Sequence, residues 1–189
     1  MATGSSGSRP KRRSRPPSVE VLRVGHRPGR DPRLTTHLAL SARVFGAERM
    51  HLHPPDPELA ERVAKVVEGW GGGFEVVPAD DWKKVVRSFD GAVVHLTMYG
   101  ESLARVMPRL ARYRRILLVV GGAKVPPDLY RLSTFNVAVG HQPHSEVAAV
   151  AVVLDRLRGL PRGGAFPGAR RAIVPQVRGK KVIERGATR

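Results

Sequence analysis

The 189-residue chain contains no cysteine. Disulfides, thiolate nucleophiles and Cys-type zinc sites are therefore excluded. Aromatic residues are scarce, at 5%, so any contact with nucleic acid must rest more on charge than on stacked rings. No apolar run reaches the roughly 18 residues that a membrane-spanning helix needs. The N-terminus also lacks the apolar stretch of a secretory leader, so a cytoplasmic location and no membrane partner are expected. Acidic residues are few as well: 16 against 33 lysines and arginines, a net charge of +17.

What is present points to a folded, polyanion-binding protein. Hydrophobic residues make up 41% of the chain, enough for a real core, and the length suits one domain. Residues 1–18 are rich in Gly, Ser, Pro and Arg and carry no acid, so they read as a disordered basic arm. Setting aside Arg9, Lys11, Arg12, Arg13 and Arg15 still leaves +12 of the +17 on the remainder. Such a field concentrates polyanions near the surface and speeds their encounter.

After the arm, short β-branched runs alternate with helical patterns. The runs are Val19–Val24, Arg49–Leu52, Phe74–Val77, Ala92–Leu96, Ile116–Val120 and Phe135–Val139. The last three are almost continuously apolar, as in strands covered on both faces of a parallel sheet. Asp56-Pro57 reads as an N-cap with proline in the first turn. Leu59, Val63, Val66, Val67 and Trp70 then recur at helical spacing until Gly71-Gly72-Gly73. Thr35–Phe45, Trp82–Phe89, Ser102–Leu110 and Ser145 to about Arg158 read as further helices. Six strands alternating with helices make an α/β fold with a mostly parallel sheet over residues 19–160. Pro161–Gly168 reads as a linker. Arg170–Gln176 and Lys180–Glu184 around Val177-Arg178-Gly179 read as a small β-hairpin, completing a 161–189 tail.

Parallel sheets bind ligands beyond the carboxyl ends of their strands. Four strand ends open into glycine-containing polar loops, beginning at Gly25, Thr97, Gly121 and Gly140. Neither the dinucleotide fingerprint nor the Walker phosphate loop follows any strand. A nucleoside-like ligand without phosphates stays open. His51-x-His53 and His141…His144 lack a carboxylate at ligand spacing, so no metal is expected.

The runs Leu22-Arg23-Val24-Gly25-His26-Arg27-Pro28, Thr35-Thr36-His37, Val94-His95-Leu96-Thr97-Met98-Tyr99-Gly100, Lys124-Val125-Pro126 and Gly140-His141-Gln142-Pro143-His144-Ser145-Glu146-Val147-Ala148 carry a resemblance. From about Val19 to Lys181 the chain is similar to the archaeal tRNA (cytidine-56) 2′-O-methyltransferase family. The resemblance implies a SPOUT-type fold whose C-terminal third is threaded as a deep trefoil knot, a short C-terminal β-hairpin, and a homodimer. It also implies S-adenosyl-L-methionine as cofactor and tRNA as partner. Carried over by motif, Leu96, Gly121-Gly122-Ala123-Lys124-Val125 and Val139-Gly140-His141-Gln142-Pro143-His144-Ser145-Glu146 would line the cofactor pocket. The family pattern has an acidic residue where Ala123 stands.

Methylating a ribose hydroxyl requires loss of its proton or stabilisation of the developing alkoxide. Related ribose methyltransferases place an arginine on the helix here running Thr35–Phe45, at a position occupied by Leu40. The role would pass to the preceding loop, and Arg27 or Arg33 is expected to take it, with His26 as the group that titrates near neutrality. Phosphate binding is the alternative duty of both arginines. Two rival functions stand beside this one: a SPOUT methyltransferase acting on another RNA position or on rRNA, and a non-catalytic knotted RNA-binding protein.

Overall fold

The computed structural model describes residues 16–122, 124–161 and 163–185. Of the expected basic arm, all but residues 16–18 lies outside them, as does Ala123.

Six strands form one sheet: β1 (Ser18–Val24), β2 (Arg49–His53), β3 (Glu75–Pro78), β4 (Ala92–Ser102), β5 (Arg115–Gly121) and β6 (Phe135–Ala138). Their order is β3-β2-β1-β5-β4-β6, and every neighbouring pair runs parallel. The helices between them are α1 (Pro32–Val44), α2 (Pro57–Trp70), α3 (Trp82–Ser88), α4 (Leu103–Leu110), α5 (Pro127–Leu132) and α6 (Glu146–Arg158).

The alternation of side chains along each strand builds two cores. Val19 and Val21 of β1, Val94 and Leu96 of β4, and Ile116, Leu118 and Val120 of β5 face α1, α2, α4 and α6. There they meet Leu38, Ala42, Leu59, Val63, Val106, Val150 and Leu154. The opposite faces carry Leu22, Val24, Val93, Leu117 and Val119 against Trp82 and Val86 of α3 and Leu129 of α5. Burial on both faces explains why β5 reads as an unbroken apolar run.

Helix ends follow local chemistry. Asp56 caps α2 through a 3.0 Å bond from the Leu59 N–H, and Pro57 opens the first turn as expected. Ser145 caps α6 by accepting from the Val147 N–H. α1 starts at Pro32, three residues before the expected Thr35, because Pro32 suits a first helical turn. α5 has only six residues and too little periodicity to be visible in the sequence.

The largest departure is in β4. The expected strand stops at Leu96, yet β4 runs to Ser102. Leu96 and Glu101 both register with Val137 of β6, so the chain bulges outward between them and returns to the same partner. Gly100 makes the return possible, because a Cβ there would overlap the backbone of Asn136 and Val137.

Beyond α6 the chain folds back along α2. The Gly72 N–H donates to the Pro167 carbonyl (2.9 Å) and the Arg170 N–H to that of Gly69 (3.1 Å). Two short strands, β7 (Arg171–Ile173) and β8 (Val182–Glu184), then pair antiparallel. Their connection spans residues 174–181 rather than the three-residue turn at 177–179.

Candidate active site

The carboxyl ends of β4, β5 and β6 enclose a cavity of about 390 Å³, within the usual size of a small-ligand site. Its walls come from the β4 bulge (Leu96, Thr97, Met98, Tyr99), the end of β5 (Val120, Gly121, Gly122, with Val125), and the segment after β6 (Val139, Pro143, His144, Glu146). Leu96, Gly121, Gly122, Val125, Val139, Pro143, His144 and Glu146 were all expected at a cofactor pocket, and the fold brings them together. Lys124, Gly140, His141, Gln142 and Ser145 belong to the same two loops without lining the cavity. Ser145 is spent on the α6 cap, and His141 Nδ1 lies 2.9 Å from the Met98 carbonyl, joining the last loop to the β4 bulge.

Gly121 is a close-approach position: a Cβ there would collide with Val125 Cγ2, so the bare backbone lets the loop fold over the cavity. Gly140 differs, since a Cβ there would meet no protein atom within 4 Å.

The floor holds a polar group that sequence reading passed over. His95 is fully buried and lines the cavity, with its Nδ1 2.9 Å from Asn136 Oδ1. Asn136 Nδ2 donates to the Tyr130 carbonyl, so its oxygen faces His95 and Nδ1 must carry the proton. Nε2 is left as a bare acceptor with no partner among the described residues. Burial pushes the His95 pKa down, against a smaller opposing pull from Asn136, and keeps the ring neutral. The Tyr130 ring stands edge-on to it at 4.7 Å. Nothing in the one-dimensional pattern separates such a histidine from an ordinary strand residue.

The loop after β1 borders this cavity, since a Cβ on Gly122 would lie 3.3 Å from the Gly25 carbonyl. Arg27 is half exposed and clasped by Asp31 through two 2.9 Å bonds. Arg27 holds the Asp31 carboxyl below its usual pKa, against the opposing effect of burial. Arg33, in the first turn of α1, is exposed, as is Arg30. His26 takes a different place from the one its sequence neighbourhood suggests. It is 2% exposed, with Nδ1 2.9 Å from Thr35 Oγ1 and Nε2 3.1 Å from Asp56 Oδ2. Both ring nitrogens are engaged in tying the β1 loop to α1 and to the cap of α2. Neither is free to take a substrate proton in this arrangement. His51 and His53 are likewise spoken for, by Glu20 (2.7 Å) and the Ala79 carbonyl (2.8 Å).

The residue most clearly missed is Arg23. It stands at the end of β1, is 1% exposed, and reaches Gly121 and Glu146 of the cavity wall. An arginine in an apolar strand flanked by short-range motifs offers no signal of partners about 100 residues away.

Two kinds of comparison decide what this arrangement belongs to. Residues 70–183 match a family profile described as tRNA ribose 2′-O-methyltransferase, aTrm56. The tRNA (cytidine(56)-2′-O)-methyltransferase of Archaeoglobus fulgidus is 48% identical over 165 residues, covering 87% of this chain and 98% of that protein. That of Methanocaldococcus jannaschii is 48% identical over 171 residues, covering 87% and 96%. The chain belongs to this family. Among solved structures, the fold resembles an rRNA methyltransferase from Sinorhizobium meliloti (TM-score 0.57, 20% identity, 76% of this chain and 57% of that one). It also resembles the SpoU methyltransferase AviRb of Streptomyces viridochromogenes in complex with AdoMet (TM-score 0.51, 16% identity, 77% and 61%). These last two speak for the fold alone. Family membership and architecture therefore agree: family members share this sequence over nearly its full folded length, and SpoU-type proteins share its parallel sheet.

Proposed function

We propose that this protein transfers a methyl group from S-adenosyl-L-methionine to the ribose 2′-hydroxyl of cytidine 56 in tRNA. The observation that carries the proposal is the 48% identity to proteins of that activity across 96% and 98% of their lengths. The cavity agrees with it. Its walls combine apolar side chains (Leu96, Val120, Val137, Val139) with a few polar ones (Thr97, His144, Glu146), a glycine backbone approaches closely at Gly121, and no phosphate-binding fingerprint adjoins it. The cofactor supplies a sulfonium methyl. Leu96, Gly121, Gly122, Val125, Val139, Pro143, His144 and Glu146 would hold the cofactor.

The remaining work falls to the chain's own residues. Positioning and charge placement supply most of the rate in such a displacement. Arg27, on the loop after β1, or Arg33, in the first turn of α1, holds an RNA phosphate or the developing alkoxide as a cation rather than accepting a proton. His26 orders the loop that carries them. The +17 charge steers the RNA.

The wider reading includes a C-terminal third threaded as a deep trefoil knot, a cytoplasmic location and a homodimer. Exposed Leu34 and Val44 on α1 and Val152 on α6, two helices that pack together, support the dimer. Sedimentation at micromolar concentration should give twice the chain mass.

Labelled cofactor and unmodified tRNA transcripts test the function. Label in the 2′-O-methyl of cytidine 56 is the expected result. Label at another nucleotide or in rRNA would move the target, and cofactor binding without transfer would leave an RNA-binding protein.

A further inference from the structure

Arg23 is a cation taken almost wholly out of water. Removing a guanidinium from solvent costs several kcal/mol unless close partners compensate, and an apolar side chain would fill the same space without that cost. Its partners are therefore informative. Nη1 donates to the Gly121 carbonyl at 2.6 Å and lies 2.9 Å from Glu146 Oε1. Nη2 lies 3.8 Å from Asp31 Oδ2. The same Asp31 carboxylate grips Arg27 at both oxygens.

Two guanidinium groups and two carboxylates thus form one continuous chain: Arg27, Asp31, Arg23, Glu146. One end, Arg27, is half exposed on the loop beside α1. The other end, Glu146 together with Gly121, lines the cavity. Asp31 also occupies the N-cap position of α1 yet makes no capping hydrogen bond. Capping ordinarily stabilises a helix, and here the carboxylate is turned to the arginines instead. Arg23 Nε has no partner among the described residues, so the side chain is aimed by the groups at its far end.

We propose that Arg23 and Asp31 are positioning residues that couple the cofactor cavity to the RNA-facing loop. This rests on the cofactor reading given above. A ligand in the cavity holds Gly121 and Glu146 in place. Through Arg23 and Asp31 that order reaches Arg27, which then meets RNA already oriented. Linkage makes the effect reciprocal: bound RNA strengthens cofactor binding by the same factor.

The test uses the full chain, S-adenosyl-L-homocysteine as a non-reacting probe, and an unmodified tRNA transcript. Calorimetry measures each ligand's affinity with and without the other at saturation. In the unaltered protein each should strengthen the other by about fivefold or more. Asp31→Asn keeps the side-chain shape and leaves Arg23 its bonds to Gly121 and Glu146. Both ligands should still bind, and the coupling factor should fall toward one. Arg23→Lys keeps the charge but cannot reach three partners at once, and its factor should fall likewise, with melting curves confirming a folded protein. A purely structural role would weaken both affinities and leave their ratio intact. A ratio preserved in Asp31→Asn, or no coupling in the unaltered protein, overturns the proposal. Failure of the unaltered protein to bind the probe would instead overturn the cofactor reading, and the coupling with it.

Discussion

The end of β1 and the ends of β4, β5 and β6 lie side by side yet are built by different means. At β1 the loop is held by charged and polar side chains: Arg27 on Asp31, His26 between Thr35 and Asp56. At the other three strands the chain is shaped by backbone approach, with Gly100 against Asn136 and Gly121 against Val125, around a cavity of mixed polar and apolar lining. The contrast matches two kinds of ligand. A polyanion needs fixed positive charge presented to solvent. A small nucleoside-bearing cofactor needs a shaped hollow with a few precisely placed polar groups. Arg23 is the side chain common to both regions.

Substitutions can break that comparison, beginning with the most damaging. Gly100→Val places a branched side chain on the Asn136 backbone, which cannot yield without separating β4 from β6. Expected is a loss of about 3 kcal/mol or more, read as a large drop in Tm or no folded protein. Gly121→Ala should weaken cofactor binding by about tenfold or more, because Val125 must shift into the cavity wall. Adding Val125→Ala should restore much of that affinity, measured by calorimetry. A Cβ on Gly140 would meet no described protein atom within 4 Å, so Gly140→Val should leave Tm nearly unchanged and, standing next to the lining residue Val139, weaken binding by narrowing the approach to the cavity. A lowered Tm with unchanged affinity would show that the last loop does not face the cofactor.

A pH series sharpens the comparison further. Burial depresses the His95 pKa below its ordinary 6.5. The unfolded chain therefore binds more protons than the native one below that value. The stability this group contributes is complete above about pH 6.5 and declines as pH falls toward its native pKa. Denaturant midpoints between pH 7.5 and pH 5 should show this slope, and His95→Asn should flatten it. The smallest effect belongs to the arm. Removing residues 1–15, which leaves β1 intact, should lower tRNA affinity severalfold and make its salt dependence shallower. An unchanged slope would exclude the arm from the RNA contact.

Legibility in the sequence followed the range of the forces involved. Strand positions, the helices other than α5, the capping of α2 and the parallel arrangement could be read because they depend on periodicity and on residues within a turn of one another. The β4 extension could not, since it depends on how closely Gly100 approaches a strand 36 residues later. The loops around the cavity were accessible through their motifs. Which members of those loops line the cavity depended on competing local bonds, as with Ser145 in its cap and His141 on Met98.

The amino-acid order by itself determined the alternation of strands and helices, the cationic surface, the absence of thiol chemistry and, through its long motifs, the family. Tertiary structure decided that His26 braces a loop, that His95 stands neutral on a cavity floor, and that Arg23 reaches both Asp31 and the cavity-lining Gly121 and Glu146. The reason is physical. Hydrophobic period and helix caps are set by near neighbours along the chain, whereas burial and ion pairing of a side chain are set by whatever the fold places across from it.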